Sequence, residues 1–213
     1  MLYRRRRLAL LLGAAVWAAL ALQFLITTSQ TVANGGGLAY GIGLYFSFFT
    51  ILTNTLAALT LTLPAVAPRS MAGRFFASSV TATGVSAAIA MVGLVYVTLL
   101  RHVWEPQGAQ LVADVALHYA SPVLFVAYWW FGVDKRDLSW RDVPWYLAYP
   151  LVYLGYALVR GALVGHYPYH FIDAGLLSYS RVAVNAVGLT LVFVIVASLF
   201  TWLGRLQARA VHR

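Results

Sequence analysis

Long apolar runs separated by short polar stretches make up the chain. A bilayer core about 30 Å thick takes roughly 20 apolar helical residues to cross. Runs of that kind recur at 8–27, 42–63, 75–99, 112–132, 145–164 and 181–203. Helix breakers stand between them: "NGGG" at 34–37, Pro64 and Pro68, Pro106 with Gly108, and "HYPYHF" at 166–171. The pattern predicts an all-α polytopic membrane protein, a six-transmembrane-helix bundle forming a single domain over 1–213. There is no repeat at a fixed period and no low-complexity segment. The opening stretch has the basic start of a signal peptide, but its apolar run is about twice the usual length and no small-x-small cleavage site closes it. It therefore reads as a retained first span.

Composition supports that class. The chain is 62% hydrophobic and 10% charged, where soluble domains carry about 25% charge. Cysteine is absent, which excludes disulfides, thiol catalysis and cysteine metal sites. The net charge of +9 comes from fourteen Arg and one Lys. On a soluble chain it would raise the question of nucleic acid; here the basic residues flank apolar runs and report topology. Arg4 to Arg7, Arg69, Arg74, Lys135, Arg136, Arg141, Arg205, Arg209 and Arg213 alternate onto one side. The other side holds only Arg101, Arg160 and Arg181. Positive charge marks the cytoplasmic side, so both termini are expected there.

Polar residues inside the spans then carry the interest. In the second span Ser47, Thr50 and Asn54 are three and four residues apart, the spacing of one helical face. In the fourth, Asp114, His118, Ser121 and Pro122 share a face. Thr50 lies about 12 Å and His118 about 9 Å below their span starts at 1.5 Å per residue, so the two sit at nearly one depth. Pro122 has no N–H for the His118 carbonyl and bends the helix there. The fifth span offers Tyr149, Tyr153, Tyr156 and Arg160 on one face. The sixth offers Arg181, Asn185 and Gly188, with Asp173 in the connection before it. Single serines and threonines in membrane helices usually bond back to their own helix. A layer of polar groups from four helices, above nearly pure Leu, Val, Ala and Phe, points to a pocket in the outer half of the membrane.

Threonine becomes a nucleophile when a base within hydrogen-bond reach takes its proton. Thr50 and His118 suit those roles, with Asp114 to orient the imidazole. Arg160, Arg181, Asn54 or Asn185 would stabilise an oxyanion. A rival is metal binding by His102, Glu105, Asp114, His118, His166, His170 and Asp173, although their spacing matches no standard ligand pattern. No nucleophile elbow and no H-E-x-x-H motif is present.

The segments "YFSFFTILTNTLAAL", "ALHYASPVLFVAYWWF" and "YPLVYLGYALVRGALVGHYPYHFIDAGLLSYSRVAVNAVGL" resemble bacterial six-pass relatives of the androgen-induced-gene (FAR-17a/AIG-type) membrane family. The resemblance runs from the second span to the sixth. It implies an intramembrane threonine hydrolase acting on fatty-acyl esters such as fatty-acid esters of hydroxy fatty acids. The family's "F-x-T" stretch falls on "FFT", placing the nucleophile at Thr50, and its histidine before a proline falls on His118 in "HYASP". The family carries an Asp three residues after the nucleophile, where this chain has Thr53 followed by Asn54, so Thr53 stands as the alternative nucleophile. Membrane lipids and an acyl-ester substrate are the expected partners, with no cofactor, no metal and no nucleic acid. The expected location is a plasma membrane, bacterial and cytoplasmic. A protein that binds or transports a lipid or small ligand without catalysis is the alternative class.

Overall fold

The computed structural model describes residues 2–210, with side chains from residue 6 onward. Among the described residues every regular element is helical: α1 (Leu2–Ala33), α2 (Leu38–Tyr45), α3 (Phe49–Val66), α4 (Met71–Ala77), α5 (Ser79–Val95), α6 (Ala109–Val115), α7 (Ser121–Gly132), α8 (Val143–Val164) and α9 (Tyr179–Ala210). A π turn extends α5 over Tyr96–Leu100, and a second joins α6 to α7 over Ala116–Ala120. Six segments are long and apolar enough to cross a membrane: Arg6–Ala33, Phe49–Val66, Ser79–Leu100, Ala109–Gly132, Trp140–Val164 and Tyr179–Ala210. They overlie the six apolar runs of the sequence and suggest a multi-pass membrane protein.

The inner helix is α5, which packs against α3, α7, α8 and α9. Its Ala87, Ala88 and Ile89 are fully or almost fully buried. Small side chains let neighbouring backbones approach closely, which lipid-surrounded bundles need in place of a hydrophobic drive between helices. The hydroxyls that this helix buries are satisfied locally. Thr83 donates to the Ser79 carbonyl at 2.7 Å and Ser86 to the Ala82 carbonyl at 2.8 Å. The Thr83 oxygen also accepts from the Trp129 indole at 2.9 Å.

One end of the bundle carries the connections 34–37, 101–108 and 165–178 and is called the upper end. At the opposite, lower end, basic side chains close helix C-termini whose last carbonyls have no intrahelical partner. Arg6 donates to the Ala65 carbonyl near the end of α3. Arg205 instead ties down the connection after α7, reaching the Leu138 carbonyl at 2.8 Å. Lys135 donates to the carbonyls of Trp130 at 3.1 Å and Val133 at 2.8 Å, with its ammonium 4.6 Å above the Trp129 ring. Lys135 is 5% exposed, and burial pushes its ammonium down to about 8 despite the nearby Asp134. Of the basic residues read as topology markers, Arg213 and the side chains of Arg4 and Arg5 lie outside the described residues.

The second apolar run differs from its sequence reading. It is two helices rather than one: α2 ends at Tyr45, residues 46–48 turn, and α3 starts at Phe49. Ser47 therefore does not share a helical face with Thr50 and Asn54. Its hydroxyl folds back on the Leu44 carbonyl at 2.6 Å. Backbone groups freed inside a membrane domain must find protein partners, and α8 supplies them. The Tyr153 hydroxyl donates to the Ser47 carbonyl at 2.9 Å and that of Tyr156 to the Phe46 carbonyl at 3.4 Å. The tyrosine face of the fifth span is thus the support for a broken helix.

The 165–178 connection folds back over the upper end of α8. Gly165 ends that helix in the left-handed region at φ 72°, which favours glycine. Tyr167 then lies flat against Gly161, where an added Cβ would meet its ring at 2.2 Å. Asp173 caps the following turn, accepting from the N–H of Gly175 at 2.8 Å and of Leu176 at 3.1 Å. Asn185 of α9 donates to the Phe171 carbonyl at 2.8 Å. These ties bring Tyr169 to the first turn of α3.

Candidate active site

Because α2 and α3 are separate, α3 begins inside the bundle, and Thr50 sits in its first turn. The Thr50 Oγ1 lies 3.2 Å from His118 Nε2. Thr50 is 7% exposed, so its hydroxyl is largely dry yet reaches open space. The other ring nitrogen fixes the tautomer. His118 Nδ1 is 3.1 Å from the Asp114 carbonyl oxygen and 3.1 Å from Asp114 Oδ1. Both neighbours only accept, so Nδ1 is the donor there, and in the neutral ring Nε2 is the nitrogen whose lone pair faces the threonine. The hydrogen bond runs to the carbonyl; Oδ1 sits beside it with no hydrogen-bond partner of its own.

Tyr96 completes this arrangement. Its hydroxyl donates to Asp114 Oδ2 at 2.5 Å, and its ring stacks on the imidazole with centroids 4.0 Å apart and planes 18° from parallel. Tyr96 and His118 each belong to a π turn, closed by Arg101 N–H to the Tyr96 carbonyl and by Ser121 N–H to the Ala116 carbonyl. Such turns add a residue to the helix and rotate the side chains that follow; they gather at functional sites. The second π turn also changes the reading around Pro122. The carbonyl that finds an outside partner is that of Leu117, which accepts from Asn54 Nδ2 at 3.1 Å. The same amide donates to the Thr50 carbonyl at 2.9 Å. Asn54 thereby ties the Thr50 turn to the His118 turn and acts as a brace, where the sequence suggested an oxyanion donor.

The oxyanion donors expected from the sequence lie elsewhere. Arg160 is half-buried and reaches the His166 carbonyl at 3.3 Å, while Arg181 is exposed at the start of α9. Asn185 and Asp173 hold the 165–178 connection. The alternative nucleophile Thr53 is fully buried, with its hydroxyl 2.7 Å from that of Tyr149 and no base beside it. Ser121 is buried without a hydrogen-bond partner and faces a different cavity, against α1. The residue that sequence reasoning missed here is Tyr169. Its hydroxyl accepts from the Thr50 N–H at 3.5 Å. Its ring stacks with Phe171, planes 5° from parallel, and meets Phe48 edge-on. Burial raises the Tyr169 phenol above its ordinary range, so it keeps its proton and remains a donor. Among the described residues no three of His, Asp and Glu gather in a way that could hold a metal ion.

Two clefts meet at Thr50 and Tyr169. One has about 790 Å³ of empty volume between α5, α8, α9 and the 165–178 connection, with Met91, Val95, Leu154, Leu189 and Phe193 in its walls. It is almost wholly apolar. The other has about 1260 Å³ and opens at the upper end between α1, α2, α3 and α6. His118 and Asp114 lie in its floor. Thr50, Leu100 and Tyr169 line both. No family model, no curated protein and no solved structure matches this chain.

Proposed function

We propose that this protein is an intramembrane hydrolase of fatty-acyl esters, with Thr50 as nucleophile and His118 as general base. The observation that carries the reading is the contact between Thr50 Oγ1 and His118 Nε2 at 3.2 Å, at the junction of an almost wholly apolar cleft and one with a polar wall. The resemblance to the FAR-17a/AIG-type family points the same way.

The acyl chain enters the apolar cleft from the bilayer, and the ester carbonyl comes to rest over Thr50. The Thr50 oxygen attacks the carbonyl carbon while its proton passes to His118 Nε2. Asp114 faces the positive charge that the ring acquires, as the third member of a triad does. The carbonyl oxygen becomes an oxyanion. Tyr169, whose own oxygen accepts from the Thr50 N–H, donates to it; a donor already polarised in this way binds an anion more strongly. On collapse the ester C–O bond breaks, His118 returns its proton to the leaving alcohol, and acyl-Thr50 remains. Water then attacks the acyl carbon, giving its proton to His118, and the carboxylic acid leaves as Thr50 regains a proton. The basic residues at the lower end set both termini in the cytoplasm, so water reaches the site from outside a plasma membrane of the bacterial cytoplasmic type.

Fluorophosphonate labelling of the detergent-purified protein, with peptide mapping, tests the assignment. Label is expected on Thr50, lost in Thr50→Ala and strongly slowed in His118→Ala, and retained in Thr53→Ala. A folded wild-type protein that takes no label, or carries it at Thr53, overturns the assignment.

A further inference from the structure

The polar cleft has a chemical character that the ester chemistry alone does not require. Gln23, Thr27, Gln30, Thr31 and Asn34 form one stripe along α1, and Gln110 of α6 faces them across the opening. Every one of these side chains is an uncharged hydrogen-bonding group. Among the described residues neither lysine nor arginine lines the cleft, and the carboxylate of Asp114 lies at its base. Arg101, on the neighbouring turn, is exposed and is not part of the lining.

A leaving alcohol carrying a carboxylate or phosphate needs a cation beside it, most effectively an arginine fork. Here it would meet a buried carboxylate instead. The amides and hydroxyls stand on the α1–α6 wall, while Leu44, Phe48, Ile51, Val103 and Trp104 make the facing wall apolar; that one wall favours an alcohol with several hydroxyls and no charge. Helix-to-helix adhesion accounts for only part of the stripe. Gln110 Nε2 donates to Gln23 Oε1 at 2.8 Å, and Gln23 Nε2 donates to Thr27 Oγ1 at 3.0 Å. That pair suffices to join α1 to α6, and Thr31 is spent on its own helix, donating to the Thr27 carbonyl at 2.7 Å and packing on Gly41 of α2; Gln30 and Asn34 nevertheless continue the stripe to the mouth. The opposite cleft, almost wholly apolar, suits an unsubstituted acyl chain.

Building on the hydrolase reading, we infer that the substrate is a fatty-acyl ester of an uncharged polyol, a glyceride or an ester of similar chemistry. The polyol occupies the α1–α6 cleft and the acyl chain the α5–α8–α9 cleft. This choice disfavours esters whose alcohol part bears a carboxylate, hydroxy fatty acids included.

Three esters of one acyl chain separate the possibilities: monolauroylglycerol, ethyl laurate and the lauroyl ester of glycolate, each assayed with the full-length protein in neutral detergent micelles. Wild type should turn over monolauroylglycerol with kcat/KM at least about tenfold above the glycolate ester, a ratio within reach of one or two hydrogen bonds. Replacing both members of the amide pair (Gln23→Leu with Gln110→Leu) should cut the preference for monolauroylglycerol over ethyl laurate several-fold, through KM. Gln30→Leu, exposed at the mouth and outside the helix contact, should shift that ratio in the same direction and guards against misfolding of the double variant. Equal turnover of the glycerol and glycolate esters overturns the polyol inference and leaves the hydrolase intact. So does a ratio of the first two esters that no variant moves. Failure of folded wild type to hydrolyse any of the three overturns both.

Discussion

Tyr96 and His118 are stacked face to face, 4.0 Å apart, each held in a π turn of a different helix. The stack limits rotation of the imidazole, and the Tyr96 hydroxyl holds the carboxylate beside it. Tyr96→Phe separates the two contributions. It keeps the ring and removes the donor to Asp114 Oδ2, leaving a buried carboxylate short of a hydrogen bond at a cost of roughly 1–3 kcal/mol. Turnover of a soluble short-chain ester should fall through kcat, by about tenfold or more, with KM little changed. A thermal melt in detergent reports the accompanying loss of stability. Unchanged kcat would show that stacking alone orients His118.

Asn54 offers a test of the brace. Its amide faces two carbonyl oxygens, those of Thr50 and Leu117, at 2.9 and 3.1 Å. Asn54→Ala removes the donor and leaves the Leu117 carbonyl unpaired, while the Thr50 carbonyl keeps its backbone partner within α3, costing about 1–3 kcal/mol. Asn54→Asp is the harsher change despite its near-identical shape. It sets a buried carboxylate against two carbonyls, and an unpaired buried charge costs more than a missing neutral donor. The expected order of melting temperature is wild type, then Ala, then Asp. A stable Asp variant would mean that the Asn54 environment admits a proton or a cation.

Lys135 predicts a pH dependence of stability. Its pKa in the folded protein is pushed down to about 8, whereas an unfolded lysine titrates near 10.4. Between these values the unfolded chain binds more protons than the folded one, so stability rises with pH through this window. From pH 8 to 9.5 the gain is about 1.5 kcal/mol, before tyrosine ionisation intrudes. Melting temperature in detergent should therefore climb by a few degrees over that range. Lys135→Met should flatten the climb, and a wild-type curve that falls instead would contradict the burial of a chargeable ammonium.

The apolar runs revealed the bundle because the length needed to cross a bilayer is a property of each segment alone. Thr50 and His118 could be paired from depth for the same reason: helical rise converts sequence position into height. What stayed hidden depends on contacts between distant segments. The break at 46–48 carries no proline, and Gly41 and Gly43 fall inside α2; it exists because Tyr153 and Tyr156, about a hundred residues away, accept responsibility for its free carbonyls. Ser47 was misplaced on this account. Tyr96 and Tyr169 gave no local signal either. One looks like a lipid-facing aromatic in "LVYV", and the other lies in a stretch whose proline and histidines mark a connection. Arg160 and Arg181 stand out by charge, and charge is least informative near a helix end, where a loop carbonyl satisfies Arg160 and solvent satisfies Arg181.

Tyr169 carries the prediction that bears most directly on mechanism. Its hydroxyl is positioned by the Thr50 N–H at 3.5 Å, and its ring by Phe48 and Phe171. Tyr169→Phe preserves the ring contacts and the wall between the two clefts, so ester binding should change little. It removes only the hydroxyl proposed to meet the oxyanion. Loss of one such donor costs about 10²–10³-fold in kcat in comparable acyl-transfer sites. Fluorophosphonate reactivity should fall in parallel, because the phosphoryl oxygen develops similar charge. A packing role predicts the opposite pattern: lowered melting temperature, raised KM and near-normal kcat. Measured together on one variant, kcat, KM and the melting temperature decide whether Tyr169 acts on the reacting oxygen or only closes the cleft.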